Sequence, residues 1–254
     1  MKESVRQPFP LELWQRGTGR DVLCLIHPIG GDIRVYRALA AALDPALTVC
    51  LIADPGLRQE VSPQWTLAER AANYHGALQT RFPNDEWRWQ LAGWSFGAWV
   101  AIGMAAESEA AGTPVRALHL IDPPPPASGV LFRHFDEAKL AAIIAHELDS
   151  AEGPGTQEYA DQLARCCRTN LRSMSYHRLP RLTQTPSRLW VADRPVPELT
   201  PTATPQVWQA TWHMHLPEPS AWQCLDTDHY GIMRSPHAEV IAAGINSTIG
   251  ELNP

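Results

Sequence analysis

Residues 88–99 read Arg88-Trp89-Gln90-Leu91-Ala92-Gly93-Trp94-Ser95-Phe96-Gly97-Ala98-Trp99, and the architecture follows from this stretch. Trp87 to Ala92 has the short apolar character of a buried strand. Phe96 to Glu109 is apolar over helix length, and Gly93-Trp94-Ser95-Phe96-Gly97 joins the two. Strand, Gly-x-Ser-x-Gly, helix is the context in which a serine sits on a sharp turn with its hydroxyl exposed above a sheet. The glycines leave room for strand and helix to approach. The helix N-terminus adds a positive field beside the hydroxyl.

The same alternation runs outward in both directions. Val22–Ile26, Thr48–Ile52, Val115–Ile121, Arg188–Val191 and Trp222–Leu225 read as strands. Ile33–Leu43, Thr66–Arg81 with Thr66 as N-cap, and 236–251 read as helices. Strands alternating with helices at this spacing predict βαβ units and a mostly parallel sheet covered on both faces. The rhythm breaks between Asp122 and Arg188. Leu140, Ile143, Ile144 and Leu148, then Leu163, Cys167, Leu171 and Met174, mark two amphipathic helices there. The expected organisation is one domain over 1–254 with a helical lid inserted at about 123–180.

Composition bounds the function. With 254 residues, 44% hydrophobic and 19% charged, the chain is globular. A net charge of −6 without a basic block argues against nucleic acid or an anionic membrane as partner. Glycines and polar residues dilute the uncharged run Trp89–Ala106 too far for a membrane span. The start, Met1–Pro8, lacks the apolar core of a secretory signal. Five cysteines without a Cys-x-x-Cys pair speak against disulfides or a thiolate zinc site and suit a reducing cytoplasm.

A serine hydroxyl needs a base to become a nucleophile. Of ten histidines, His229 lies in Asp226-Thr227-Asp228-His229-Tyr230-Gly231, between the last strand and the last helix. That position completes the chain order serine, acid, histidine found in α/β-hydrolases; His215, His237 and His177 are its rivals. For the acid, Asp122 and Asp193 both end strands on the edge that carries Ser95, and position alone does not separate them. His27-Pro28-Ile29-Gly30-Gly31 follows the first buried strand. Such a turn can aim a backbone N–H at the nucleophile, which nominates Ile29 and Phe96 as oxyanion-hole donors. His27 itself reads as a structural hydrogen-bonding residue. The many tryptophans (Trp94, Trp99, Trp190, Trp208, Trp212 and Trp222 among them) divide between core and an aromatic pocket wall.

With these residues placed, the chain resembles the thioesterase domains that end nonribosomal peptide and polyketide synthetases. The pieces that carry the resemblance are Ile26-His27-Pro28-Ile29-Gly30-Gly31 with Tyr36 and Leu39-Ala40, Leu91 to Ala98, Leu118 to Pro124, and Asp228-His229-Tyr230-Gly231-Ile232-Met233. Thr227 departs from the glycine often found before the Asp-His pair. The resemblance implies an α/β-hydrolase with a helical lid and places the acid at Asp122. It also implies release of an acyl, peptidyl or polyketide chain from a carrier protein through an acyl-Ser95 ester, by hydrolysis or macrocyclisation. No metal or resident cofactor is expected, because the phosphopantetheine arm belongs to the carrier. An editing thioesterase or a small-molecule esterase would use the same residues, whereas a binding protein would keep the fold without turnover. A freestanding enzyme and a domain of a longer synthetase both fit.

Overall fold

The computed structural model describes residues 11–58, 63–126, 137–151, 156–175, 177–196, 205–217 and 220–249. Seven strands form one sheet: β1 (Leu11–Gln15), β2 (Asp21–Ile26), β3 (Thr48–Ile52), β4 (Arg88–Trp94), β5 (Ala117–Ile121), β6 (Ser187–Arg194) and β7 (Ala221–Asp228). Their order is β1-β3-β2-β4-β5-β6-β7. The pairing of β1 with β3 is antiparallel and every other pairing is parallel. The chain runs outward from β2 to β3, then crosses to β4 on the other side of β2. Crevices for ligands open at such reversals, beyond the carboxyl ends of the strands.

Strand composition explains the layering. In β2, Val22, Cys24 and Ile26 enter one core and Leu23 and Leu25 the other. In β3, Cys50 and Ile52 separate from Val49 and Leu51 in the same way. A strand covered on both faces is therefore apolar at every position. One core lies under α2 (Leu67–Arg81) and α3 (Phe96–Ala110), the other under α1 (Arg37–Ala41) and α7 (His237–Asn246). The N-cap expected at Thr66 is a full capping box: its hydroxyl accepts from the Glu69 N–H while the Glu69 carboxylate accepts from the Thr66 N–H.

Four elements differ from the sequence reading. The sequence pattern does not mark strand β1 or helix α6 (Pro205–Trp212), because four half-buried and one exposed edge residue, and a short helix, leave little periodicity. The helix expected over 33–43 is instead a 3-10 turn at Arg34–Tyr36 followed by the single short α1. Asp32 accepts from the Arg34 backbone and guanidinium there, which ties the first turn to the preceding loop. The last helix closes at Asn246, whose side chain turns back to cap Ala42 O and Asp44 N. The insertion between β5 and β6 holds the two expected helices, α4 (Glu137–Ala151) and α5 (Gln157–Ser175).

Tyr36 shows how this scaffold holds the strand ends in register. Its hydroxyl is buried, donates to Ile26 O at 2.6 Å and accepts from Trp94 N–H at 2.8 Å. It thus bridges the carboxyl ends of β2 and β4. Tyr36→Phe strands both backbone groups, and a buried polar group without a partner costs about 1–3 kcal/mol. We expect a loss of about 3 kcal/mol, visible as a Tm lowered by roughly 10 °C. A melting curve that superimposes on that of the parent would refute the bridge.

Candidate active site

Ser95, the N-cap of α3, has φ 56° and ψ −121°. Asp122, the residue after β5, has φ 40°. Among the described residues they are the two with a side chain and a positive φ. Left-handed backbone is strained for residues other than glycine and persists where the surroundings over-determine it. The surroundings are visible. Ser95 N–H donates to Ile121 O at 2.9 Å and Asp122 N–H donates to Trp190 O at 2.7 Å, so each turn is stitched to the neighbouring strand. The elbow glycines are required by space. A Cβ on Gly93 would lie 2.2 Å from the Gly97 carbonyl carbon, and one on Gly97 would lie 2.4 Å from Ile26 O.

The Asp122 carboxylate is buried and fully engaged. One oxygen accepts from Ala192 N–H at 3.0 Å. The other lies 2.6 Å from Nδ1 of His229. A carboxylate can only accept, so Nδ1 carries the proton and Nε2 is left as the ring's basic nitrogen. His229 is held from three sides. Trp94 packs beneath its ring, with centroids 4.9 Å apart, and donates its indole N–H to His229 O at 3.0 Å. The Asp228 carboxylate accepts from Tyr230 N–H and Gly231 N–H, which shapes the turn that carries His229. Tyr230 meets the His229 ring edge-on. Ser95 as a whole residue is 7% exposed.

The rival residues stand elsewhere. Asp193 is exposed near the end of β6. His215 packs against Trp212, and its Nδ1 donates to Pro180 O at 3.3 Å. His237 opens α7, and His177 follows α5, where burial lowers its pKa. The histidine–carboxylate pair that geometry brings to the Ser95 edge is therefore His229 with Asp122.

The loop after β2 is organised from below. His27 Nδ1 lies 2.7 Å from Pro28 O, and its Nε2 lies 2.7 Å from the Tyr74 hydroxyl. Since the carbonyl only accepts, Nδ1–H donates to it and Nε2 accepts from Tyr74. Burial pushes the His27 pKa down to about 4, against the nearby Asp54 charge, so the ring is neutral at pH 7. Arg70 donates to both Tyr74 and Asp54. Burial alone would raise Asp54, but the Arg70 guanidinium, together with His27 and the hydrogen bonds from Gly56 N–H and Asn170, holds the carboxyl below its usual range. His27 is thus the structural hydrogen-bonding residue its position suggested. Ile29 is nearly buried, and Phe96, fully buried, stacks on His27 at 5.7 Å.

Four tryptophans placed between core and pocket wall prove to be core. Trp94, Trp99, Trp190 and Trp212 are among the largest fully buried side chains. Trp99 donates its indole N–H to Pro124 O, anchoring the segment after Asp122. Trp222 is partly buried and packs against the core, and the side chain of Trp208 lies outside the described residues.

A serine on a strained elbow, an aspartate at the next strand end and a histidine after the last strand define the α/β-hydrolase class. The chain belongs to the thioesterase-domain family, whose model matches residues 21–247. It is 30% identical over 124 residues to the nonribosomal peptide synthetase pngA of Aspergillus terreus, and 26% identical over 159 residues to the synthetase apvA of the same organism. Those matches cover 49% and 63% of this chain but 13% and 17% of the relatives, so the chain spans a small part of their length. Solved structures share the fold. A four-domain nonribosomal peptide synthetase, AB3403, superposes with a TM-score of 0.74 at 19% identity, over 96% of this chain and 20% of that one. The thioesterase domain of NocB, as a covalent complex with a fluorophosphonate nocardicin G analog, gives 0.71 at 24%, over 92% and 96%. Among the described residues, no helix is long and apolar enough to cross a membrane.

Proposed function

We propose that this thioesterase domain releases an acyl or peptidyl chain from a carrier protein, with Ser95 as nucleophile, His229 as general base and acid, and Asp122 as the group that orients His229. The observation that carries the reading is the 2.6 Å Asp122–His229 hydrogen bond, made by one of two strained residues whose partner in strain is Ser95. Nε2 of His229 takes the Ser95 proton as Oγ attacks the thioester carbonyl carbon. The tetrahedral oxyanion rests on the N–H groups of Ile29 and Phe96. Collapse expels the carrier's thiolate, which recovers the proton from His229, and leaves the acyl-Ser95 ester. Water, or a hydroxyl or amine of the chain itself, then attacks the ester and gives its proton to His229. That proton returns to Ser95 as the product leaves. Asp122 keeps Nδ1 protonated and stabilises the imidazolium formed in each half-reaction.

The carrier reading is supported by the thioesterase-domain family and by relatives that are nonribosomal peptide synthetases. The phosphopantetheine arm belongs to that partner. Helices α4 and α5 serve as the lid over Ser95. The test compares one acyl group delivered three ways: on a phosphopantetheinylated carrier protein, as an N-acetylcysteamine thioester and as an oxygen ester. We expect kcat/KM to fall in that order, by at least about tenfold from carrier to oxygen ester. Equal or better use of the oxygen ester would identify a small-molecule esterase instead.

A further inference from the structure

The Pro28–Ile29 peptide is aimed by its own loop: Pro28 O accepts from His27 Nδ1–H and from Gly31 N–H. A trans peptide points its N–H opposite its carbonyl, so these bonds set the direction of the Ile29 N–H. The next peptide, Ile29–Gly30, is gripped by the insertion. Asn170 on α5 donates its side-chain N–H to Ile29 O at 2.9 Å. Glu147 on α4 accepts from Gly30 N–H at 3.2 Å. Both side chains are buried, Asn170 at 0% and Glu147 at 4% exposure. The grip extends along the loop, since the Tyr159 hydroxyl of α5 donates to Asp32.

Asn170 is anchored in turn. Asn170 also donates to Asp54 Oδ2 at 3.0 Å, where Arg70 is bound. Burial, opposed by the Gly30 N–H and reinforced by the Asp32 charge, pushes the Glu147 pKa up to about 8. That shift favours the protonated form, and one carboxyl oxygen faces the Gly30 N–H. Beside Glu147, His146 stacks on Tyr230 with centroids 4.2 Å apart, and Asp149 pairs with Arg234 at 2.7 Å. One helix thereby touches both the loop of Ile29 and the turn of His229.

We propose that Glu147 and Asn170 are positioning residues, which hold the Ile29–Gly30 peptide and so steady the aim that the Pro28 O bonds give the Ile29 N–H toward the oxyanion. The inference rests on the reading of Ser95 as nucleophile and Ile29 as oxyanion donor. It makes the insertion part of transition-state stabilisation as well as a cover.

The test uses the full chain with an octanoyl N-acetylcysteamine thioester and an octanoyl-type trifluoromethyl ketone, whose adduct with Ser95 carries an oxyanion. Losing one oxyanion donor costs about 10²–10³ in kcat, and misaiming one should cost less. Glu147→Leu and Asn170→Ala should each lower kcat about 30-fold. KM should stay within about twofold, and the ketone Ki should rise in step with the loss of kcat. Glu147→Gln, which keeps an acceptor, should recover most of the lost kcat. A merely structural role would scale activity with the folded fraction and leave the ketone Ki of the folded protein unchanged. If either variant fails to fold, Gly30→Ala substitutes for it. A Cβ there would lie 2.4 Å from the Glu147 carboxyl oxygen and displace it, with the same kcat-selective loss expected. Unchanged kcat and ketone Ki in the folded variants overturn the proposal. With Ser95→Ala inactive alongside, that result rejects the clamp alone; turnover by Ser95→Ala rejects the underlying reading and the clamp with it.

Discussion

Ser95→Ala is expected to lose at least about 10⁴-fold in kcat toward a carrier-bound thioester while melting within a few degrees of the parent. In a characterised serine hydrolase, loss of the nucleophile alone costs about as much as removing the whole triad, roughly 10⁶-fold. The lower bound stated here allows for catalysis left to the oxyanion hole and binding. The fold should survive because the strain at position 95 is backbone strain, φ 56°, imposed by the Gly93–Gly97 contact and by Ser95 N–H on Ile121 O. Alanine meets the same backbone demand with one atom fewer. Turnover at the parental rate, measured with the variant shown to be folded, would remove Ser95 from the mechanism.

Asp122→Asn comes next in size. Its amide can present an N–H to His229 Nδ1 and so favour the tautomer in which Nε2 carries the proton and cannot act as base. In a serine protease triad that change costs about 10⁴-fold in kcat, and a comparable loss is expected here. Asp193→Asn should change kcat less than about threefold, since Asp193 is exposed, and surface changes remote from the chemistry are usually small. Steady-state kinetics of the two variants side by side decide the matter. A larger loss at Asp193 would move the acid to the end of β6.

The two aspartates also show where reading from sequence stops. Both end a strand on the same edge, and nothing in their spacing from Ser95 separates them. The difference lies in a φ of 40° at Asp122 and in the Ala192 and Trp190 groups that hold it, all tertiary facts. The elbow was legible because its geometry restricts residue type: no side chain fits at Gly93 or Gly97. His229 was legible because chain order and a strand-to-helix loop single it out among ten histidines. Glu147 and Asn170 were not, because their amphipathic helices predict burial of a face and say nothing of which loop the polar members reach. Tryptophan stayed ambiguous for a related reason. A large apolar ring suits a pocket wall and a sheet core equally, and Trp94, Trp99, Trp190 and Trp212 went to the core.

If acyl transfer passes through Ser95 activated by the Asp122–His229 pair, that one serine is the reactive nucleophile of the chain. An alkyl fluorophosphonate tests it most directly, because it phosphonylates a serine that its neighbours have made nucleophilic. The measurement is the rate of labelling by intact mass, followed by peptide mapping of the labelled site. We expect one adduct per chain, on the peptide that contains Gly93-Trp94-Ser95-Phe96-Gly97, abolished in Ser95→Ala and slowed by orders of magnitude in Asp122→Asn. A stable adduct on any other residue, or equal labelling of the parent and Ser95→Ala, would contradict it.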